Sequence, residues 1–279
     1  MEKAFGKINL SLKIVGKRPD GYHNIDTIMV PVDLYDEIYI SPWKDELLLS
    51  VDGDVPSDSS NLLHQVWENL LPFTTVDPGI KVHLKKNIPV GAGLGGGSSD
   101  AALFLKRLLK RWDIHWNKDQ IKAFCEKIGA DVYYFMEEQT VRATGIGTDF
   151  KPLPDFNGIP LLLMNPGVSI STKKVYEEMI IGKSQDMDDV EKALLSRDFK
   201  GLRECVFNDM EETSFRMAPE IKEIKEKVNA FDGISLMSGS GATVFSLFKT
   251  VEERDRAFDE MKDKVWFIHK GFTGVDPYD

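Results

Sequence analysis

Residues 88–102 read IPVGAGLGGGSSDAA, with five glycines from Gly91 to Gly97 and two serines directly after them. Glycine loses more backbone freedom on folding than any other residue, so a cluster of this size indicates a backbone that needs unusual conformations or close approaches. Residues 80–84 alternate as a strand, and residues 99–112 have a helical pattern. A glycine loop between a strand and a helix presents backbone N–H groups to an anion, so we predict a phosphate site.

Two familiar phosphate loops do not account for this stretch. A Walker A loop needs a lysine after its last glycine, and here Gly97 is followed by Ser98. The spacing Gly91-x-Gly93-x-x-Gly96 does match a dinucleotide fingerprint, and Asp113 lies at about the expected distance. That fingerprint needs a second strand ending near the acid, whereas DIHWNKDQ (113–120) leads into another helix. We therefore favour a phosphate loop without the Walker lysine.

The composition is that of a globular chain with an acidic balance. The 279 residues are 42% hydrophobic, and the formal net charge is −10. Broad nucleic-acid binding needs a basic face, so we expect no nucleic-acid partner. The overall charge does not exclude an anionic small molecule, because local donors can oppose the global field.

The remaining global features predict a cytoplasmic protein. The longest apolar runs, such as residues 159–164, are too short to span a bilayer, and we expect no membrane association. The N-terminal MEKAFGKINLSL lacks the apolar region of a signal peptide. The two cysteines, Cys125 and Cys205, form no metal or disulfide pattern, and both are expected to be buried apolar residues. The sequence carries no signature of an oligomeric state.

The order of predicted elements indicates an α+β fold. We predict strands at 8–14, 25–32, 36–40, 47–51, 80–84, 161–164, 244–248 and 265–268 and helices at 62–71, 99–112, 117–128, after Ser171, across 189–231 and at 252–264. Asn61 is an expected helix cap, and Asn117 is expected to begin a helix that ends at Gly129. The segment PLPDFNGIP (152–160) is the best domain boundary. A second small-residue loop, SGSGAT (238–243), is weak evidence alone but is a candidate second wall of the phosphate site.

Three stretches together resemble the GHMP kinase superfamily: residues 6–38 (GKINLSLKIVGKRPDGYHNIDTIMVPVDLYDEI), residues 87–102 with the later IGADV (128–132), and residues 236–248 (LMSGSGATVFSLF). The resemblance implies the GHMP kinase fold. Residues 1–152 would form an N-terminal ATP-binding domain, related to a ribosomal-protein domain, with the phosphate loop and the catalytic lysine and aspartate. Residues 153–279 would form a C-terminal α/β sandwich domain with the second loop and one wall of the substrate cleft.

The resemblance also assigns catalytic and cofactor roles. The residues that match the ATP phosphate loop are Pro89, Val90, Gly91, Ala92, Gly93, Leu94, Gly95, Gly96, Gly97, Ser98 and Ser99. Asp131 matches the aspartate that accepts the proton of the substrate hydroxyl, and Lys7 matches the lysine beside it. Magnesium is expected to enter with ATP, and its protein ligands are not assigned. Spacing alone does not bring Lys7 and Asp131 together, and each alone is typical of a solvated strand end or a turn.

The first stretch, with its DGYH, resembles the branch of the superfamily that acts on a CDP-linked alcohol. It implies ATP-dependent phosphorylation of the 2-hydroxyl of 4-diphosphocytidyl-2-C-methyl-D-erythritol, in the non-mevalonate isoprenoid precursor pathway. Asn9 matches a polar residue near that hydroxyl. Tyr22 and His23 match cytidine-site residues, and Tyr176 falls where a second aromatic ring contacts the base. Without the resemblance, Tyr176 would be interpreted as a core residue of a helix.

The chain departs from the superfamily pattern near the predicted catalytic aspartate and elsewhere. Tyr133 and Tyr134 stand where proline and phenylalanine are common, and residues 137–139 (EEQ) replace glycines. Thr148 follows Gly147 where a glutamate is frequent, and Gly6 replaces an alanine. Two alternatives therefore stay open. One is a superfamily kinase for another alcohol, such as homoserine or a mevalonate derivative. The other is a non-catalytic nucleotide-binding or RNA-associated protein.

Overall fold

The computed structural model describes residues 1–19, 21–44, 46–180 and 185–275. The strands there are β1 (Glu2–Lys17), β2 (His23–Pro42), β3 (Leu47–Asp52), β4 (Ile80–Lys85), β5 (Val141–Gly145), β6 (Asp149–Pro152), β7 (Pro160–Asn165), β8 (Ile234–Met237), β9 (Val244–Leu247) and β10 (Phe267–Phe272). The helices are α1 (Leu62–Leu70), α2 (Gly96–Arg111), α3 (Lys118–Ile128), α4 (Tyr134–Glu137), α5 (Thr172–Glu178), α6 (Met187–Leu195), α7 (Phe199–Cys205), α8 (Glu211–Met217), α9 (Pro219–Val228) and α10 (Val251–Met261).

The chain forms two compact units that do not follow chain order. The first unit is Met1–Gly6, Leu34–Val90 and Gly95–Glu138, and the second unit is Lys7–Asp33, Gly91–Leu94 and Gln139–Asp279. The long paired strands β1 and β2 contribute residues to both units. The predicted division into residues 1–152 and 153–279 cuts the chain once, whereas each unit here is assembled from separate stretches. That two-domain division stays a prediction. Within the described residues, none of the helices has both the length and the apolarity needed to cross a bilayer.

The first unit packs helices α1 to α4 with a mixed sheet. Strand β4 lies between β2, to which it is antiparallel, and β3, to which it is parallel. Its alternate residues Ile80, Val82 and Leu84 are buried, as period-two burial requires. Helix α1 buries the spaced residues Leu63, Val66 and Leu70 and contacts α2.

The second unit contains the first half of β2 paired with the β5–β6 hairpin, and a separate antiparallel sheet in the order β10-β7-β9-β8. Every residue of the inner strand β7 is buried, which explains its uninterrupted apolar sequence. Helices α9 and α10 pack on strands of this sheet. The segregated helices and antiparallel strands confirm the predicted α+β class.

Local sequence signals place most elements correctly. The side chain of Asn61 accepts the N–H of Leu63 at 3.0 Å, so the predicted cap is confirmed. The predicted helix start at Asn117 is also confirmed, and there Asn117 forms a capping box with Gln120. Ser171 caps α5 as expected. Residues 19–21 (PDG) are typical of a turn, but Asp20 lies outside the described residues.

Several predicted boundaries are wrong. The predicted strands at 25–32 and 36–40 are one continuous strand, β2. Strand β8 follows the predicted helical region directly and was not expected, and β10 covers residues 267–272 rather than 265–268. Helix α2 begins at Gly96, not Ser99, because glycine fits a tight site: a Cβ on Gly96 would lie 3.0 Å from Ile88 Cγ2. Close packing there outweighs the low helix propensity of glycine.

Candidate active site

The glycine loop has a regular backbone alternation. Gly91, Gly93 and Gly95 have φ values of +63°, +78° and +73°, and the residues between them do not have positive φ. Backbone that alternates in this way turns successive N–H groups toward one concave side, which is a typical anion-binding arrangement. The loop is fixed by packing, since Ala92 and Leu94 are buried. It is therefore an ordered structure and not a flexible surface turn.

The N-terminus of helix α2 supplies further donors. Gly95 is its N-cap, and no side chain caps the first turn, so the N–H groups there have no side-chain acceptor. The helix has 16 residues, and its dipole favours a negative group at this end. Ser98 is partly exposed, whereas Ser99 is fully buried. Ser98 is thus the accessible hydroxyl of the predicted pair.

Lys7 is buried at 3% exposure, within the second unit. Its ammonium donates to Asn9 Oδ1 at 2.6 Å and to the carbonyl of Gly93 at 3.2 Å. The backbone N–H of Lys7 also donates to Leu94 O at 3.0 Å. A buried ammonium needs oxygen acceptors, and these come from strand β1 and from the glycine loop. The structure thus brings Lys7 and Asn9 together with the glycine loop, although Lys7 and Gly93 are 86 positions apart in the sequence.

Both polar atoms of the Asn9 side chain are hydrogen-bonded. Its Nδ2 donates to Thr27 Oγ1 at 2.9 Å, and that hydroxyl donates to Ser11 O at 2.7 Å. This chain of bonds fixes the amide so that its oxygen faces the lysine. A fixed acceptor restricts where the Lys7 ammonium can lie.

The small-residue loop SGSGAT (238–243) contacts the glycine loop directly. Ser238 Oγ donates to the carbonyl of Gly93 at 2.8 Å and accepts the N–H of Asn9 at 3.1 Å. The N–H of Thr243 donates to Ala92 O at 3.2 Å. The loop therefore lies against residues 91–94, as a second wall would.

Side chains of the second unit fix this second loop in turn. Asn208 Nδ2 donates to Met237 O and Gly239 O, each at 2.8 Å, and Ser214 Oγ donates to Ser240 O at 3.0 Å. Asn208 and Thr27 lie in no motif of the sequence, and Ser238 was predicted only as a member of the small-residue loop at 238–243.

Asp131 lies in the first unit, in the turn between α3 and α4. Gly129 ends α3, and the N–H of Val132 donates to Gly129 O at 3.1 Å, which shapes the turn. Asp131 is partly buried, between the buried residues Ile128 and Val132. Burial raises the pKa of Tyr134 well above its usual value, and the charges of Glu138 and Asp131 raise it further. Asp131 and Lys7 belong to different units, and their proximity stays a prediction.

Residues 137–139, which stand where the superfamily commonly has glycines, include one residue with a glycine-like backbone conformation. Glu138 ends α4 with φ +48°, a left-handed conformation that glycine adopts more easily. The Glu138 carboxylate pairs with Lys106 at 3.3 Å within the first unit. The backbone conformation suited to glycine is thus kept here by a different residue.

The predicted cytidine residues include a stacked pair. The rings of His23 and Tyr176 lie 4.6 Å apart with an interplanar angle of 15°. Burial and then the charge of Lys17 lower the pKa of His23, which favours the neutral imidazole. Tyr22 is 62% exposed. The stacked partner of Tyr176 in this structure is His23, and the roles of Tyr22, His23 and Tyr176 at a cytidine site stay predictions.

Magnesium was the expected companion of ATP. The described residues contain no group of three or more His, Cys, Asp or Glu side chains suited to a metal ion. Mg²⁺ often keeps several waters and binds through substrate phosphates with few protein ligands. The Ser98 hydroxyl at the start of α2 fits a minor role of this kind.

Comparisons with known proteins identify the family of the chain. The model of the GHMP kinases N terminal domain matches residues 61–138, and that of the GHMP kinases C terminal matches residues 190–266. A 4-diphosphocytidyl-2-C-methyl-D-erythritol kinase of Finegoldia magna is 39% identical over 273 residues, covering 97% of this chain and 98% of the relative.

Solved structures extend the similarity to the fold. A crystal structure of 4-(cytidine 5'-diphospho)-2C-methyl-D-erythritol kinase has a TM-score of 0.84 at 29% identity and covers 99% of each chain. A homoserine kinase from Cytophaga hutchinsonii has a TM-score of 0.75 at 16% identity, covering 97% of this chain and 93% of that one, and shares the fold alone. The chain therefore belongs to the GHMP kinases, within the family of the 4-diphosphocytidyl-2-C-methyl-D-erythritol kinases.

Proposed function

We propose that this chain transfers the γ-phosphoryl group of ATP to the 2-hydroxyl of 4-diphosphocytidyl-2-C-methyl-D-erythritol, a step of the non-mevalonate isoprenoid precursor pathway. Family membership supports the reaction class and the substrate. The observation that carries the proposal is the contact of the Lys7 ammonium with the carbonyl of Gly93. A buried cation at a phosphate loop is suited to the charge that develops during phosphoryl transfer.

ATP would bind along residues 89–99. Backbone N–H groups of the loop and of the first turn of α2 would receive the phosphate oxygens, since both point donors at an anion. Magnesium, when bound with ATP, neutralises phosphate charge and would contact at most the Ser98 hydroxyl of this loop. Local donors of this kind account for anion binding by a chain with a net charge of −10.

Asp131 would accept the proton as the substrate hydroxyl attacks the γ-phosphorus. Lys7 would stabilise the negative charge on the oxygens of the transferring group. Asn9 would hold the ammonium of Lys7 in place, because its oxygen lies 2.6 Å from Nζ. The proposed mechanism therefore requires that Asp131 and Lys7 act on the same substrate hydroxyl.

The cytosine base would bind at the aromatic residues Tyr22, His23 and Tyr176. The stacked rings of His23 and Tyr176 offer flat apolar faces, and the lowered pKa of His23 favours a neutral imidazole, which has one ring nitrogen as an acceptor. Binding energy at this remote base would orient the hydroxyl for transfer.

We also propose that the chain has two domains, divided between residues 152 and 153, and that the protein is cytoplasmic.

Product analysis tests this proposal. The protein is incubated with Mg²⁺, ATP and 4-diphosphocytidyl-2-C-methyl-D-erythritol, and ³¹P NMR follows the phosphorus signals. We expect one new phosphate monoester signal for each ADP formed, and none when CDP replaces the substrate. ADP formation without a monoester would contradict the proposal.

A further inference from the structure

The first unit contains a buried cluster of three charged side chains: Lys86, Asp36 and Asp100. Their side chains are 6%, 0% and 2% exposed. Burying ions costs free energy unless they are paired and hydrogen-bonded, and removing one partner is strongly destabilising. One ammonium here serves two carboxylates from separate elements, β2 and α2. None of these residues was singled out by the sequence analysis.

Each charge has a defined place in the cluster. Lys86 Nζ donates to Asp100 Oδ2 at 2.6 Å and also to Asp36 Oδ2. The other oxygen of Asp36 accepts the backbone N–H groups of Asn87 at 2.6 Å and Ile88 at 2.8 Å. Lys86 is also tied through its backbone, since its N–H donates to Asp52 O at 2.8 Å. The lysine thus bridges a turn after β4 to helix α2.

This bridge joins the two chain segments on either side of the glycine-loop centre. Asn87 and Ile88 directly precede Pro89, the first residue of the predicted ATP loop. Asp100 is the fifth residue of α2, just after Ser99, the last residue of that loop. The segments are also in close contact, because a Cβ on Gly96 would lie 3.0 Å from Ile88 Cγ2. The cluster itself reaches the start of α2, since the same Cβ would lie 3.2 Å from Asp36 Oδ2.

We propose that Lys86 is a positioning residue for ATP: its ammonium, through Asp36 and Asp100, holds the approach to the loop against the first turns of α2 and so fixes the phosphate-binding N–H groups. This inference rests on the proposed function of residues 89–99. Without the ammonium, Asp36 and Asp100 would lose the donor that joins them, so the cluster would no longer hold the two segments together. Displacement of donors by even a fraction of an ångström weakens a preorganised site.

The ionisation of the cluster agrees with this role. Burial alone would lower the pKa of Lys86, but Asp100 and Asp36 together raise it above its usual value, so the bridge stays charged. Burial raises the pKa of Asp100 to about 7, with Lys86 acting to lower it and Asp36 to raise it. The lysine charge is therefore the persistent element at neutral pH.

The test compares three variants with the wild-type protein. Lys86→Met removes the ammonium and keeps the chain length. Lys86→Met combined with Asp100→Asn avoids the unpaired charge on Asp100 and preserves folding if the single variant fails. Lys85→Met is the matched control, because the adjacent Lys85 pairs with Glu37 at the surface at 2.7 Å. Steady-state kinetics give KM for ATP and for the alcohol, and calorimetry gives the affinity for Mg²⁺ with AMP-PNP.

We expect the double variant to fold and to show KM for ATP raised at least about tenfold, with KM for the alcohol within about twofold and a parallel loss of AMP-PNP affinity. Lys85→Met should match the wild type. An unchanged KM for ATP in the folded double variant would overturn the inference. So would an equal rise in both KM values, or loss of folding in both Lys86 variants, since each indicates a general structural role. A wild-type protein that binds AMP-PNP yet phosphorylates no alcohol would instead contradict the proposed function.

Discussion

Lys7 shows how one residue links the two loops of the candidate site. Its ammonium and the Ser238 hydroxyl donate to the same carbonyl, that of Gly93. Asn9 contacts both donors, through its side-chain oxygen and its backbone N–H. Shared acceptors of this kind fix several groups with few bonds, because moving one donor disturbs the others. The position of the lysine charge is therefore set by strand β1 and by both loops.

Asp131 carries the proposed proton transfer. Asp131→Asn keeps the side-chain shape but removes the carboxylate that would accept the proton, so we expect kcat to fall at least about a hundredfold. ATP binding should persist, because Asp131 lies outside residues 89–99. Asp119→Asn, in the first turn of α3, is the matched control and should retain wild-type kcat. A folded Asp131→Asn protein with near-normal turnover would remove this residue from the mechanism.

Asp100 gives a prediction for stability against pH. Its pKa is raised from 3.8 to about 7 in the folded protein, so between these values the folded state holds a proton that the unfolded state has lost. Stability contributed by this group therefore falls as pH rises through that range. Asp100→Asn cannot ionise, and its Tm relative to the wild type should be higher at about pH 8.5 than at about pH 5. The same Tm difference at both pH values would contradict the raised pKa.

At the scale of elements, the backbone of the glycine loop packs closely against the backbone of residues 238–243. A Cβ on Gly93 would lie 2.1 Å from the carbonyl oxygen of Ser238, a distance that no side chain tolerates. Gly91 has a similar positive φ, but the nearest atom to a Cβ there is Ser169 Oγ at 3.9 Å. A side chain at either glycine would strain the backbone, but only a side chain at Gly93 would also collide with a neighbouring atom.

Gly93→Ala and Gly91→Ala make that difference measurable. Both substitutions strain a left-handed backbone, but only Gly93→Ala forces the two loops apart and displaces the acceptor of Lys7. We expect Gly93→Ala to lower kcat/KM for ATP at least about tenfold more than Gly91→Ala. Steady-state kinetics on folded variants provide the comparison. Equal losses would show that backbone strain alone governs the loop.

Elements with local signals were predictable, and those set by tertiary contacts were not. Asn61 and Asn117 marked their helices because a cap acts within three residues. The start of α2 at Gly96 was not predictable, since it depends on the approach of Ile88 and Asp36. Strand β8 was missed because it has only four residues and follows helix α9 closely. Its pairing with β9 is a contact that sequence periodicity does not report.

The candidate site shows the same division. The glycine spacing predicted a phosphate loop from local chemistry, and three alternate glycines do adopt positive φ. The roles of Lys7 and Asp131 came from resemblance, because spacing carries no information on their surroundings. The buried network of Lys86, Asp36 and Asp100 was invisible in the sequence, where each residue is a common charged side chain. Burial is what distinguishes them, and burial follows from the fold.

At the scale of the whole molecule, family membership covers nearly the full chain, and the similarity to the relative from Finegoldia magna extends over 97% of it. The same fold also serves a homoserine kinase at 16% identity, so the fold alone does not select the alcohol. Selection must come from particular residues, and the stacked rings of His23 and Tyr176 are the most specific feature of the proposed substrate site.

The most direct measurement is therefore a coupled ADP-release assay with three acceptors: 4-diphosphocytidyl-2-C-methyl-D-erythritol, homoserine and mevalonate. We predict that kcat/KM for the CDP-linked alcohol exceeds that for either other alcohol at least about a hundredfold, because only that substrate carries a base for the proposed aromatic site. Comparable kcat/KM values for homoserine or mevalonate, or no ADP release with the CDP-linked alcohol, would contradict the account.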